Sequence, residues 1–338
     1  MNRFEYVRAG SVGEAIKALA GSPDARALAG GTNLVDLMKY DVAKPSRVVD
    51  INGLPLRDFA ETPSGGLRIG ALVTNSEVAW DPRVVKRYPL LSSAILAGAS
   101  PQLRNAATMG GNLLQRTRCY YFYDPSTSCN KRNPGSGCAA IGGVNRIHAI
   151  LGMSDDCIAV HPSDMCVALA ALDAIVHVEG PDGPRAIPFA EFHRLPANEP
   201  QRDNTMQPGE LIIAIELPPS DFGPHHTYLK VRDRLSYAFA LVSAAAALRL
   251  ENGVIADARL ALGGIAHKPW RDHAAEEVLR NRKPDENQFR QCAGEILREA
   301  KGQGGNDFKI ELARRTIVRA LRQAAAGTPQ VQSDKAIR

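Results

Sequence analysis

The chain has 338 residues, 44% of them hydrophobic and 23% charged, with a formal net charge of +5. These values fit an ordinary globular protein of two domains, and basic residues interspersed with acidic ones argue against nucleic-acid binding. No run of eighteen apolar residues is available to span a membrane, and MNRFEYVRAG lacks the apolar segment of a signal peptide, so the chain is expected to carry no export signal of its own.

In chain order, RFEYV reads as a strand and SVGEAIKALA as a helix opened by Ser11 and Glu14 in capping-box spacing. ARALAG reads as a second strand, NLVDLMKY as a short helix and residues 47–51 as a third strand, together a small α/β unit. GLRIGALV begins a second unit, TNSEVAW opens a helix with another capping box at Thr74 and Glu77, and residues 83–98 continue as helix. From 101 to 162 periodicity is weak, and a segment of that length inside a compact protein tends to be functional. HPSDMCVALAALDA restores a helix, and AIVHVEG and GELIIAIELP are strands. A second domain opens with the strand HHTYLKVRD, followed by a strand pair around a Glu251-Asn252-Gly253 turn. Helices near 274–280, 285–300 and 309–325 complete it, and GTPQVQSDKAIR reads as a flexible tail.

Four of the six cysteines, Cys119, Cys129, Cys138 and Cys157, follow the pattern Cys-x9-Cys-x8-Cys-x18-Cys. Three lie in polar, glycine-rich loop sequence where packing gives no reason for a thiol. Disulfides belong mainly to small domains in oxidising compartments. Structural zinc sites use tight Cys-x2–4-Cys pairs, which are absent here. An iron–sulfur cluster takes four thiolates at wider spacing, and the glycines of NPGSG and AIGGVNR can turn N–H groups towards an anionic core. Spacing alone leaves iron–sulfur, zinc and disulfide all open. Cys166 and Cys292 stand in helical sequence and are read as core.

Two glycine pairs give a second signal. LAGGTNLVD (28–36) follows a strand and precedes a helix, and ATMGGN (107–112) repeats the idea. Such loops can present N–H groups to a phosphate. Neither is GxGxxG, and no GxxxxGK[ST] is present.

AGGTNLVDLMK, RNAATMGGNL, HPSD and LALGGIAHKPWR, in this order, resemble signatures of the FAD-binding subunits of the molybdenum hydroxylases, the xanthine dehydrogenase family. The segment from Arg118 to Asp164 is similar to the subgroup of periplasmic aldehyde oxidoreductases, whose flavin subunit carries an added [4Fe–4S] cluster. The resemblance implies an α+β fold. Residues 1–222 form a two-lobed FAD domain of the vanillyl-alcohol-oxidase (PCMH) type, with lobes about 1–54 and 55–222 and a cluster insertion about 117–160. Residues 225–326 form a C-terminal domain of antiparallel sheet and helices, and 327–338 a tail. It implies that Arg26, Ala27, Leu28, Ala29, Gly30, Gly31, Thr32, Asn33 and Leu34 embrace the pyrophosphate and ribityl chain. Ala107, Thr108, Gly111, Asn112 and Gln115 form the second loop, beside Ser163. Asp164 is expected to bond the adenosine ribose, Ile213 to pack on a ring, and Lys230 to sit near the isoalloxazine. Cys119, Cys129, Cys138 and Cys157 are the implied cluster ligands.

No molybdenum-cofactor signature is present, and the resemblance places that chemistry in a partner. The implied assembly is a heterotrimer of a large molybdenum subunit, a small subunit with two [2Fe–2S] clusters and this chain, passing electrons to an external acceptor that is unassigned. It implies export to the periplasm with a partner bearing a twin-arginine signal; a cytoplasmic location is the alternative. Alternative functions are a subunit acting with purine or aromatic substrates, a stand-alone flavin oxidoreductase and a zinc-stabilised interaction module.

Overall fold

The computed structural model describes residues 1–333, which contain three sheets. The first is parallel, with Arg47–Asp50 between Glu5–Arg8 and Arg26–Leu28. Parallel strands need crossovers, and the helices Val12–Ala20 and Leu34–Lys39 supply them. Ser11 caps the first of these by accepting the Glu14 N–H at 3.2 Å. The Glu14 carboxylate reaches back to the N–H of Gly10, one residue beyond the expected reciprocal bond.

The second sheet is antiparallel, in the order Phe59–Glu61, Leu67–Gly70, Leu211–Leu217, Ile175–Gly180, Gly183–Pro188. The two outer strands escape the sequence reading. One has three residues; the other carries prolines, which only an edge tolerates. Thr74 and Glu77 form the complete capping box of the helix Asn75–Trp80. The helix expected over 83–98 is two, Pro82–Arg87 and Pro89–Ala97. Pro89 has no N–H to continue the first and is pre-set to begin the second. The segment expected to lack regular structure starts with the short helices Pro101–Ala106 and Met109–Leu113, capped by Ser100 and Thr108. They are too short to show a helical period. Beyond the helix Tyr120–Tyr123, residues 124–160 are turns and isolated bridges.

The third sheet is antiparallel, in the order Trp270–Arg271, Val254–Gly263, Val242–Glu251, His226–Val231. Asn252 and Gly253 have φ of 50° and 79°, the two left-handed residues of the expected tight hairpin turn. Alternate residues of Val242–Glu251 enter different cores. Val242, Ala244, Ala246 and Leu248 meet the helices Glu286–Ile296 and Phe308–Ala326. Ala245 and Ala247 meet the helices Pro89–Ala97 and Asp164–Ala171 of the N-terminal domain. A sheet covered on both faces explains the unbroken apolar run VSAAAAL. The tail is not all free: the Gln330 N–H donates to Thr227 Oγ1 at 3.1 Å and Gln332 Nε2 to Tyr228 O at 3.0 Å. Residues 327–333 thereby cover the open edge of His226–Val231, which exposed strand edges require. The rest of the expected tail, 334–338, lies outside the described residues.

Candidate functional site

The two glycine loops meet in the floor of a cleft of about 1650 Å³. Small-molecule pockets are commonly about 300–1,000 Å³, so this one has room for a dinucleotide. A β-carbon on Gly30 would lie 1.8 Å from the carbonyl oxygen of Ala106, so the two loops touch where only glycine fits. Gly31 has φ +72°, a left-handed conformation that glycine adopts without strain. Asn33 Oδ1 accepts the Arg116 N–H at 3.0 Å, while its Nδ2 is buried without a hydrogen-bond partner. Thr108 Oγ1 accepts the Gly111 N–H at 3.2 Å. Asn112 Oδ1 accepts from Ser163 Oγ and from Gln115 Nε2, each at 2.6 Å. Arg26, Ala27, Leu28, Ala29, Thr32, Leu34 and Ala107 line the same cleft.

Asp164 and Lys230 also reach the cleft, but as an ion pair. Asp164 Oδ1 accepts from Tyr228 Oη and Oδ2 from Lys230 Nζ, both at 2.7 Å, and Lys230 Nζ also donates to Ala97 O at 3.2 Å. Asp164, expected at the ribose, and Lys230, expected near the isoalloxazine, are thus paired with each other at the cleft. Both side chains are buried, and a buried charge without a partner is strongly disfavoured. Tyr228 is fully buried; desolvation, then the Asp164 charge, push its phenol well above the ordinary value. Ile213 does not line the cleft. It is the extra residue at a bulge between Ile175–Gly180 and Leu211–Leu217, which turns Leu211 and Ile212 to the cleft instead.

Other lining residues were not foreseen. His161, buried, lies against His193 with ring centroids 4.3 Å apart, and its Nε2 has no partner among the described residues. The segment from Asp233 to Leu241 forms one wall, with Tyr237 exposed at φ 50° and Phe239 beneath the Arg118 guanidinium. The signal available in sequence was weak: a lone histidine before Pro-Ser-Asp, and one polar loop between two strands.

Cys119, Cys129 and Cys157 are buried and Cys138 half-buried, and all four belong to one cluster with Leu37, Phe122, Ala140 and Ile158. Cys129 and Cys138 face each other across an antiparallel bridge. None is in a disulfide, and no three of the four sulfurs lie within 4.8 Å of one another. Burial pushes the Cys119 thiol up to about 12 and the Cys157 thiol up to about 11. Cys166 and Cys292 are buried in the cores, as expected.

The cysteine segment is tied to the first glycine loop. Buried Lys131, two residues after Cys129, pairs with Asp203. Arg116 Nε donates to the other Asp203 oxygen at 2.7 Å, and the Arg116 backbone holds Asn33. Burial alone would raise the Asp203 carboxyl, but Arg116 and Lys131 outweigh it and hold the group well below the usual carboxylate range. Arg118 and Tyr123 both donate to Asp36 Oδ2, at 2.9 and 3.1 Å.

The chain matches two family models: "FAD binding domain in molybdopterin dehydrogenase" over residues 2–220 and "CO dehydrogenase flavoprotein C-terminal domain" over 226–324. It is 49% identical to the aldehyde oxidoreductase FAD-binding subunit PaoB of Escherichia coli K12, covering 96% of this chain and 99% of that one. It is 27% identical to the glyceraldehyde dehydrogenase medium chain of Sulfolobus acidocaldarius, over 95% and 98%. Among solved structures it is similar to carbon monoxide dehydrogenase from Hydrogenophaga pseudoflava, with TM-score 0.76 and 26% identity over 96% of this chain and 98% of that chain.

Proposed function

The chain belongs to the FAD-binding subunits of the molybdenum hydroxylases, and from that premise we propose that it is the electron-exit subunit of a heterotrimeric aldehyde oxidoreductase. Its partners are a large molybdenum subunit, which oxidises the aldehyde, and a small subunit with two [2Fe–2S] clusters. The observation that carries this reading is the 49% identity with PaoB along nearly the whole of both chains.

The cleft fits FAD. Its glycine-only contact at Gly30, its free N–H groups at Gly31 to Asn33 and the orphaned Asn33 Nδ2 suit a pyrophosphate, and Arg26 adds positive charge beside it. Bound there, FAD supplies a centre that accepts electrons singly and releases them as a pair. The protein positions it: Asn112, Gln115 and Ser163 order the second loop, and the neutral Asp164–Lys230 pair anchors the C-terminal sheet behind it.

The four cysteines fit a [4Fe–4S] cluster better than zinc. At Zn–S distances of about 2.3 Å, tetrahedral sulfurs stand about 3.8 Å apart, whereas no three of these four lie within 4.8 Å of one another, which favours the larger cluster. The cluster locks a segment made of turns, since four thiolate bonds order a chain that has little core of its own. We place the complex in the periplasm, exported folded with a partner that bears a twin-arginine signal.

Co-expression of this chain with its two partners tests the assembly. The expected product is an equimolar complex that oxidises aldehydes and is recovered by osmotic shock, while the isolated chain turns over none. Aldehyde or alcohol oxidation by the isolated chain would make it a stand-alone flavin enzyme and overturn the proposal.

A further inference from the structure

A histidine outside the sequence pattern places a side-chain nitrogen against the cysteine set. His148 is 1% exposed, and its Nε2 lies 3.1 Å from Cys119 Sγ. Its Nδ1 is buried with no hydrogen-bond partner. A neutral imidazole carries one ring proton. Near the ring, the Asn145 carbonyl lies outside hydrogen-bond geometry with Nδ1, whereas Nε2 stands 3.1 Å from sulfur, so the geometry places the proton on Nε2.

The ring is held in place from the C-terminal domain. The His148 carbonyl accepts from Lys309 Nζ at 2.8 Å and from Asn306 Nδ2 at 3.2 Å. Lys309, itself 0% exposed, also donates to Ile147 O at 3.3 Å and to Gly264 O at 2.5 Å. Tyr121 packs against the ring at 6.4 Å. Two buried donors, Lys309 and Asn306, thus fix the main chain that carries the ring beside Cys119.

We propose that His148 donates Nε2–H to the Cys119 thiolate and thereby raises the reduction potential of the cluster. The inference rests on the [4Fe–4S] reading above. Hydrogen bonds to the sulfurs are among the factors that set cluster potentials. The reduced cluster is the more negative form, so the donor stabilises it more than the oxidised form and favours electron uptake. His148 is a positioning and tuning residue and not a ligand.

The test is an EPR-monitored redox titration of the purified complex, with iron counted in each sample. His148→Leu removes the donor and is expected to lower the potential by about 59 mV, a tenfold change in a one-electron equilibrium. His148→Gln, which can place an amide N–H near the ε position, is expected to recover most of the shift. An unchanged potential in His148→Leu with full iron content overturns the proposal. Pulsed EPR of the reduced wild-type cluster gives an answer even where a variant loses its iron. A weak nitrogen coupling that changes on 15N-histidine labelling is expected; no histidine coupling, or one of direct-ligand strength, contradicts the role. A wild-type complex with no cluster signal sinks the iron–sulfur reading itself, a different failure from an unshifted potential.

Discussion

Gly30 is where the two glycine loops lie against each other, with the Ala106 carbonyl occupying the space a β-carbon would need. Gly30→Ala must push the loops apart, and the expected result is at least a tenfold loss of FAD affinity, read from the flavin-to-protein ratio after gel filtration. The Asp164–Lys230 pair makes a sharper case. Removing one partner of a buried pair leaves a charge uncompensated and costs about 3–5 kcal/mol. Asp164→Ala is therefore expected to lower the denaturation midpoint strongly, and adding Lys230→Met to recover much of the loss. Equal losses in the single and double variants would contradict the pairing. Sequence named both residues because their motif and strand are readable. It assigned them separately to the cofactor because the 66 positions between them hide that they touch. Ile213, expected against a ring, is the extra residue of a bulge, which reverses the facing of a strand and leaves no mark in composition.

At the scale of elements, the insertion and the buried histidines carry the predictions. Cys129→Ser is expected to lose the cluster's iron and to make residues 124–160 sensitive to limited proteolysis while the two sheets on either side stay protected. Normal aldehyde turnover by a folded variant without the cluster would exclude an obligatory relay role; lost turnover with retained FAD would support one. His193 is buried among Phe189, Phe192 and His161 and bonds Leu113 O through Nε2 at 2.8 Å. Burial lowers it from an ordinary 6.5 to about 4. Above 6.5 both folded and unfolded forms are neutral; between 6.5 and 4 only the unfolded chain takes up the proton. Stability is therefore complete above pH 6.5 and falls as pH drops towards 4, by about 1.4 kcal/mol per pH unit for one such group. Urea titrations across that range are expected to show this slope and His193→Asn to reduce it by one proton; an identical slope would remove His193 from the account. Most helices and strands were legible because caps and the Asn-Gly turn are local signals, while the edge strands Phe59–Glu61 and Gly183–Pro188 and the break at Pro89 were not. The cysteine spacing was legible as well. The contacts from His148, Lys131 and Lys309 that surround it were not, because each comes from a charged or titratable residue whose burial is decided by distant chain.

At the scale of the molecule, the C-terminal sheet is packed on both faces, so the flavin-type domain and the C-terminal helices share it. The cleft opens against that sheet, and the cysteine segment is joined to its first loop through Asp203, Arg116 and Asn33. The architecture thus joins a cofactor cleft and a segment with four cysteines by direct contacts, which suits an electron-carrying subunit more than a free-standing catalyst. Fractionation of cells expressing all three partners is expected to find this chain in the periplasm only when the partner's twin-arginine signal is intact. The central claim is that one chain holds both FAD and a [4Fe–4S] cluster. Its most direct test is the flavin, iron, acid-labile sulfide and zinc content of this chain separated from its partners without denaturation. The account predicts one FAD, about four iron and four sulfide per chain and no zinc; flavin with no iron, or with one zinc per chain, would contradict it.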